Sequence, residues 1–228
     1  MLLRIPKLLS EDQLAAVRRS LEDPTAPWVD GRVTAGHLGA PVKRNQQIDE
    51  SSAVARELGQ WVVAELERHA LFISAVLPHR VYPPVFNRYA EGMQFGTHVD
   101  GAVRMIPGSG QKLRTDLSAT LFLSAPESYE GGELVIERDL GGETVKLAAG
   151  EVLVYSAASR HRVNPVTRGM RVACVFWIQS LIRDDLKREQ LFELDRTIQR
   201  LTELGSDAAS MVRLAGHYHG LLRLWTDV

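Results

Sequence analysis

The sequence predicts a mainly β core with flanking helices: a double-stranded β-helix of the jelly-roll, cupin-like class. N-terminal helices should pack on it, and a helical extension should follow it. Three observations carry this expectation. From residue 81 the runs "VYPPVFNRY", "LSATLFLS", "GELVIER", "ETVKLAA", "EVLVYSA", "HRVNPV" and "MRVACVFWIQS" follow one another, separated by Gly, Pro, Asn and Ser, with no helical period between them. Ahead of them lies a strongly periodic helical segment, and after Ser180 the pattern turns helical again. Short strands without intervening helices point to an antiparallel sandwich or small barrel rather than to a parallel sheet.

The elements follow in order. In "SEDQLAAVRRSLED" Ser10 stands where an N-cap belongs, and Leu14, Val17 and Leu21 recur at helical spacing. "APWVDGRVTAGHLGAPVKRNQQI" is rich in Gly and Pro with short β-like pieces between. "SSAVARELGQWVVAELERHALF" reads as one amphipathic helix. Beyond the β-rich core, "RDDLKREQLFELDRTIQRLTEL" is an amphipathic helix that should end at Gly205. "DAASMVRLAGHYHGLLRLWTDV" reads as a last helix weakened by Gly216 and Gly220. This divides the chain into residues 1–180, with the barrel core at about 81–180, and a helical extension at 181–228.

A chain of 228 residues suits one domain with a small appendage. A formal net charge of -1 gives no global attraction to nucleic acid or anionic membrane. The only cysteine, Cys174 in "RVACVFWI", excludes an internal disulfide and reads as a buried small hydrophobe. "MLLRIPKLLSEDQ" has too short an apolar run for a secretory signal, and no stretch is long enough to span a bilayer. A reducing, cytoplasmic location is expected.

The stretch "EGMQFGTHVDGA" sets His98 and Asp100 two positions apart. On an extended strand such side chains leave the same face and can converge on one point. Of the seven histidines, His69 and His79 are expected at the surface and His37 lies unassigned in a glycine loop. His217 and His219 diverge if the tail is helical. His161 remains, opening a late β segment that a jelly roll returns towards the early strands. Two imidazoles and one carboxylate on one face form the facial arrangement of non-haem Fe(II) oxygenases. Zinc competes for such a site.

Arg171 follows ten residues after His161, on the next strand. The alternation of "MRVACVFWI" puts Arg171, Ala173, Val175 and Trp177 on one face, and Met170, Val172, Cys174, Phe176 and Ile178 on the other. A buried arginine is costly unless it meets an anion, and its guanidinium grips a carboxylate with two hydrogen bonds. Beside a three-ligand metal site it suggests a dicarboxylate that chelates the metal at one end.

On "YAEGMQFGTHVD", "EGGELVIE" and "HRVNPVTRGMR" the chain resembles the Fe(II)- and 2-oxoglutarate-dependent dioxygenases of the prolyl-4-hydroxylase type, and more closely the bacterial PKHD-type hydroxylases. "WVDGRVTAG" followed by "VKRNQQ" extends the likeness, which runs over nearly the whole chain. The resemblance implies His98, Asp100 and His161 as iron ligands, Arg171 as the 2-oxoglutarate anchor and Tyr89 near the cosubstrate. It implies hydroxylation of a small-molecule or peptide substrate with release of succinate and CO2, O2 as cosubstrate, and L-ascorbate as reductant. The alternatives are a non-catalytic cupin-like module that binds metal or a small acid, and a zinc hydrolase.

"GAVRMIPGSGQKLRTD", residues 101–116, is long for a hairpin loop and is either a lid or substrate contact at the barrel mouth or a solvated loop. "YEGGEL" marks a tight turn into a strand. The C-terminal helices either cap the barrel or offer Leu221, Leu222, Leu224 and Trp225 to a second subunit.

Overall fold

The computed structural model describes residues 1–138 and 141–228. The chain opens with strand β1 (Leu2–Ile5), helix α1 (Glu11–Glu22) and strands β2 (Trp28–Asp30), β3 (Lys43–Arg44) and β4 (Gln46–Ile48). Helices α2 (Ala53–Arg68) and α3 (Ala70–Val76) follow. The β-rich part comprises β5 (Pro78–Val81), β6 (Val85–Tyr89), β7 (Gln94–His98), β8 (Val103–Met105), β9 (Lys112–Arg114), β10 (Leu117–Phe122) and β11 (Tyr129–Gly131). It continues through β12 (Leu134–Arg138), β13 (Gly141–Val145), β14 (Val152–Ser156), β15 (His161–Val163), β16 (Val166–Gly169) and β17 (Arg171–Ser180). Helices α4 (Asp185–Glu203) and α5 (Ala208–Trp225) close the chain.

Two antiparallel sheets make the barrel. The larger runs β1-β14-β10-β17-β6-β4-β2, with β5 also paired to β17. The smaller runs β13-β12-β15-β7-β3. The N-terminal segment therefore supplies strands to both sheets, including β1, which its sequence did not announce. The expected strand "VYPPVFNRY" is broken: Pro83 and Pro84 have no N–H to give to a ladder, so β5 and β6 dock separately along β17. The Tyr82 amide bridges the break by donating to the Trp177 carbonyl at 2.8 Å.

The outer face of the large sheet packs under helices. Ser10 and Gln13 form a reciprocal capping box on α1, which buries Val17 and Leu21. Ser52 caps α2, and Leu58, Val62 and Leu66 form its buried stripe against Phe86, Cys174, Phe176 and Ile178. Burying each such side chain contributes roughly 1.5–3 kcal/mol. Burial also pushes the Cys174 thiol up, away from its reactive thiolate form. The single helix expected after Ser51 is two: the chain leaves helical geometry at His69 (φ -86, ψ 105), which is half-buried there and not at the surface as expected.

Strand β17 keeps its expected alternation. Val172, Cys174, Phe176 and Ile178 enter the helix-covered core, whereas Arg171, Val175 and Trp177 face the interior of the barrel. Met170 lies just outside the strand and is exposed. Gly205 has φ +71 at the end of α4, as expected of a C-terminal cap. Helix α5 runs through Gly216 and Gly220 and seats Leu221, Leu222 and Trp225 against Leu77, Ile182 and Leu191. Those three residues pack on their own chain, while Leu224 is exposed. No helix among the described residues is long and apolar enough to cross a membrane.

Candidate active site

The two sheets enclose a cavity of about 690 Å³. The small sheet lines it with adjacent strands: β7 and β15 pair so that His98 lies directly opposite His161. The late strand is expected to return towards the early ones, and in the fold the two are hydrogen-bonded neighbours. Asp100 follows two residues beyond the end of β7, with Val99 turned outward. One ligating atom from each of His98, Asp100 and His161 lies within 4.8 Å of the others. His98 Nε2 is 4.0 Å from Asp100 Oδ1, and His161 Nε2 is 3.7 Å from Asp100 Oδ2.

The surroundings prepare these atoms for a metal. His98 Nδ1 lies 2.9 Å from the Gly96 carbonyl and His161 Nδ1 lies 3.0 Å from that of Ser159. Carbonyl oxygens only accept, so both Nδ1 atoms donate and both Nε2 lone pairs are left free. Burial, reinforced by His161, pushes His98 down to about 4 and keeps it neutral at ordinary pH. The Ser118 hydroxyl donates to Asp100 Oδ2 at 2.5 Å and fixes the carboxylate. The Phe95 ring stacks on His98 at 3.6 Å, and Tyr155 meets His161 edge-on at 5.1 Å.

Across the cavity, the large sheet contributes Asn87, Tyr89, Ser118, Thr120, Tyr155 and Arg171. Arg171 is 1% exposed and pairs in register with Tyr89 on β6. Its guanidinium lies 5.3 Å from the Tyr89 ring and 5.5 Å from that of Phe122. Its Nε has no hydrogen-bond partner, and among the described residues no carboxylate lies within 4.0 Å of it. Gly132 (φ +66) makes room for it, because a Cβ there would sit 3.1 Å from Arg171 Cδ. This answers the expected turn role of "YEGGEL" with a steric one as well. A buried guanidinium without a carboxylate beside it is a receptor of the kind that suits a ligand carboxylate. The residues present therefore fit both a divalent metal and a dicarboxylate.

Other expectations resolve in the same frame. His37 is exposed at the rim of the cavity, while His217 and His219 are exposed on α5 and do not line it. Residues 101–116 contain a hairpin, β8 paired to β9, whose Val103, Arg104 and Met105 line the cavity, the position expected of a lid or a substrate contact rather than of a solvated loop. Ser118, Thr120 and Tyr155 escaped the sequence reading. The polar-apolar alternation of "LSATLF" carried a signal for the first two. Tyr155 sat in an all-apolar run that hid it.

Residues 84–179 match the 2OG-Fe(II) oxygenase superfamily, and residues 185–227 match the PKHD-type hydroxylase C-terminal domain. Over the full length of both chains the protein is 59% identical to a PKHD-type hydroxylase of Cupriavidus metallidurans and 58% identical to one of Paraburkholderia phymatum. The fold is shared with a Trichoplax adhaerens prolyl hydroxylase solved with a hypoxia inducible factor peptide, at a TM-score of 0.59, 12% identity, and coverage of 83% of this chain and 86% of that one. With likeness of that extent across barrel and tail alike, the chain belongs to the PKHD-type hydroxylases and is an iron- and 2-oxoglutarate-dependent oxygenase.

Proposed function

We propose that His98 and His161 bind Fe(II) through Nε2, that Asp100 binds it through its carboxylate, and that Arg171 pairs with the distal carboxylate of 2-oxoglutarate. The observation that carries this reading is the buried guanidinium of Arg171, with its Nε unsatisfied and no carboxylate beside it among the described residues, in the same cavity as the three convergent ligating atoms. Tyr89, opposite Arg171 in register, would flank the cosubstrate. Iron bound there supplies the oxidation, in which O2 and 2-oxoglutarate give succinate, CO2 and one oxygen atom inserted into a substrate C–H bond. The chain itself orients the two imidazoles through Gly96 and Ser159, steadies Asp100 through Ser118, and shields the reaction between Phe95 and Tyr155.

Ascorbate suits this chemistry as the agent that returns oxidised iron to the ferrous state. A small molecule or one side chain of a peptide fits the cavity, and the near-neutral charge of the chain favours neither nucleic acid nor membrane as partner. A single buried thiol suits a reducing cytoplasm. Exposed Val212 and Leu224 on α5, with Leu204 at the end of α4, are what a second copy would cover. Anaerobic addition of Fe(II) and 2-oxoglutarate should give the weak visible charge-transfer band of the chelate, and His98→Ala should abolish it. Folded, iron-loaded protein without the band would sink the reading.

A further inference from the structure

Once Asp100 is matched to the metal and Arg171 to the cosubstrate, two cations lining the cavity remain without a counterion. Lys43, which opens β3, is only 7% exposed. Its Nζ donates to Thr34 Oγ1 at 3.1 Å and to Gln47 Oε1 at 3.3 Å. The Thr34 hydroxyl also donates to Gln47 Oε1 at 2.8 Å, and Gln47 is itself buried, so the ammonium is fixed in place. An ammonium has three donors, and these bonds use two. Nζ lies 5.3 Å from the centre of the Phe95 ring, whose plane stacks on His98. The charge therefore neighbours the aromatic ring that packs on the His98 imidazole.

The second cation arrives on the hairpin. The Arg104 guanidinium lies 3.7 Å from the centre of the Trp177 ring and 4.7 Å from that of Tyr82. Its Nε is buried without a hydrogen-bond partner. Among the described residues no carboxylate comes within 4.0 Å of Lys43 or Arg104. The acids whose charge reaches Lys43 are Glu50, Asp100 and Asp30; Glu50 accepts a hydrogen bond from the Tyr82 hydroxyl and Asp30 is paired to Arg32. Burial, and then the charge of Arg104, pushes Lys43 down to about 8. Desolvating a cation beside another is unfavourable without a bound anion.

We propose that the substrate carries a carboxylate received between Lys43 and Arg104, with an apolar segment lying along Tyr82, Val85, Val103 and Trp177 towards the iron. The inference rests on the preceding reading in that Asp100 and Arg171 are engaged by metal and cosubstrate, which leaves the rest of the cavity to the substrate. The carboxylate belongs either to a free aliphatic acid or to the C-terminus of a peptide, and the probes separate these sources. Octanoate and octanamide form one pair. An N-acetylated leucine tripeptide with a free C-terminus and its C-terminal amide form the other.

Each probe is titrated calorimetrically into the metal-free protein and into protein loaded with Mn(II) and 2-oxoglutarate. At least one acid should bind about tenfold or more tighter than its amide, because charge-assisted hydrogen bonds are lost with the charge. Lys43→Met and Arg104→Met should each remove that preference while moving 2-oxoglutarate affinity less than about twofold. Arg104 lies on a partly exposed hairpin, so its variant remains informative even where the buried Lys43 variant fails to fold. Equal binding of acid and amide, no binding of either acid at millimolar concentration, or a preference that survives Arg104→Met would overturn the proposal. Loss of the iron–2-oxoglutarate band alone would instead strike the preceding reading, since acid preference in metal-free protein does not depend on it.

Discussion

At the floor of the cavity, polar side chains are held by strands that pair with one another: His98 opposite His161, and Arg171 opposite Tyr89. At the mouth, Lys43 comes from a two-residue strand, Arg104 from a three-residue hairpin strand, and Val99, Val103 and Met105 are more than half exposed. The floor is a ladder whose register fixes distances, whereas the mouth is assembled from separate pieces leaning on Phe95, Tyr82 and Trp177. Register-bound geometry suits chemistry that tolerates little displacement. A mouth of short, separately anchored pieces can change with the substrate while the floor stays as it is.

The sharpest way to break this comparison is at the floor. His161→Ala should lower 2-oxoglutarate-dependent succinate formation by roughly a thousandfold or more, because removing one of three protein ligands leaves a site that no longer holds the metal. The same variant should bind Lys43-dependent acids as wild type does, in metal-free calorimetry. Coupled loss of both would show that floor and mouth are one unit.

Arg171 offers the next largest effect. Arg171→Met should raise the 2-oxoglutarate requirement about 100-fold, the loss of a bidentate charge-assisted pair, with Fe(II) binding retained. It should also make the ligand-free protein more stable, by about 1–4 kcal/mol, since replacing an uncompensated buried charge with hydrocarbon removes a desolvation penalty. Chemical denaturation without 2-oxoglutarate checks this, and destabilisation would indicate a partner for Arg171 within the chain.

These floor residues were legible in the sequence, and the physical reason is local. His98 and Asp100 are neighbours on one short stretch, and Arg171 is a lone charge inside a strand whose alternation can be counted. The barrel itself was legible for the same reason, as period-two runs punctuated by turn residues. Lys43 and Tyr155 were not. Lys43 lies in a Gly- and Pro-rich segment with no period, and only the pairing of β3 with β7 brings it beside Phe95. Tyr155 hides in "EVLVYS" because both faces of β14 are buried, one towards the helices and one towards the cavity. The break at His69 and the hairpin within 101–116 likewise depend on contacts distant in sequence.

Ser118 tests how finely the floor is set. Its hydroxyl touches Asp100 and no substrate surface is required of it, so Ser118→Ala should act through metal affinity alone. A loss of about 10- to 100-fold in Fe(II) affinity is expected for removing such an orienting hydrogen bond. At saturating iron the turnover should recover. A turnover defect that persists at saturating iron would mean that the Ser118 hydroxyl does more than orient the carboxylate.

The mouth yields the smallest effect and the most specific sign. The Lys43 ammonium has a pKa of about 8 in the folded protein, against an unperturbed value near 10.4. Its charge is present below pH 8 and lost as pH rises through that value, so acid affinity in metal-free protein should fall up to about tenfold per pH unit from 8 upward. Between pH 8 and about 10.4 the unfolded chain binds the proton more strongly than the native one, so this lysine makes stability rise with pH over the same window. The two trends oppose each other, which separates loss of the clamp from incipient unfolding. Burial sets the midpoint first, followed by the charges of Arg104, Glu50, Asp100 and Asp30, and Arg104→Met should shift it upward by removing the nearby like charge. Acid binding that stays level to pH 10, with stability level as well, would mean that Lys43 keeps its proton through a partner of its own, and the mouth would then be as internally paired as the floor.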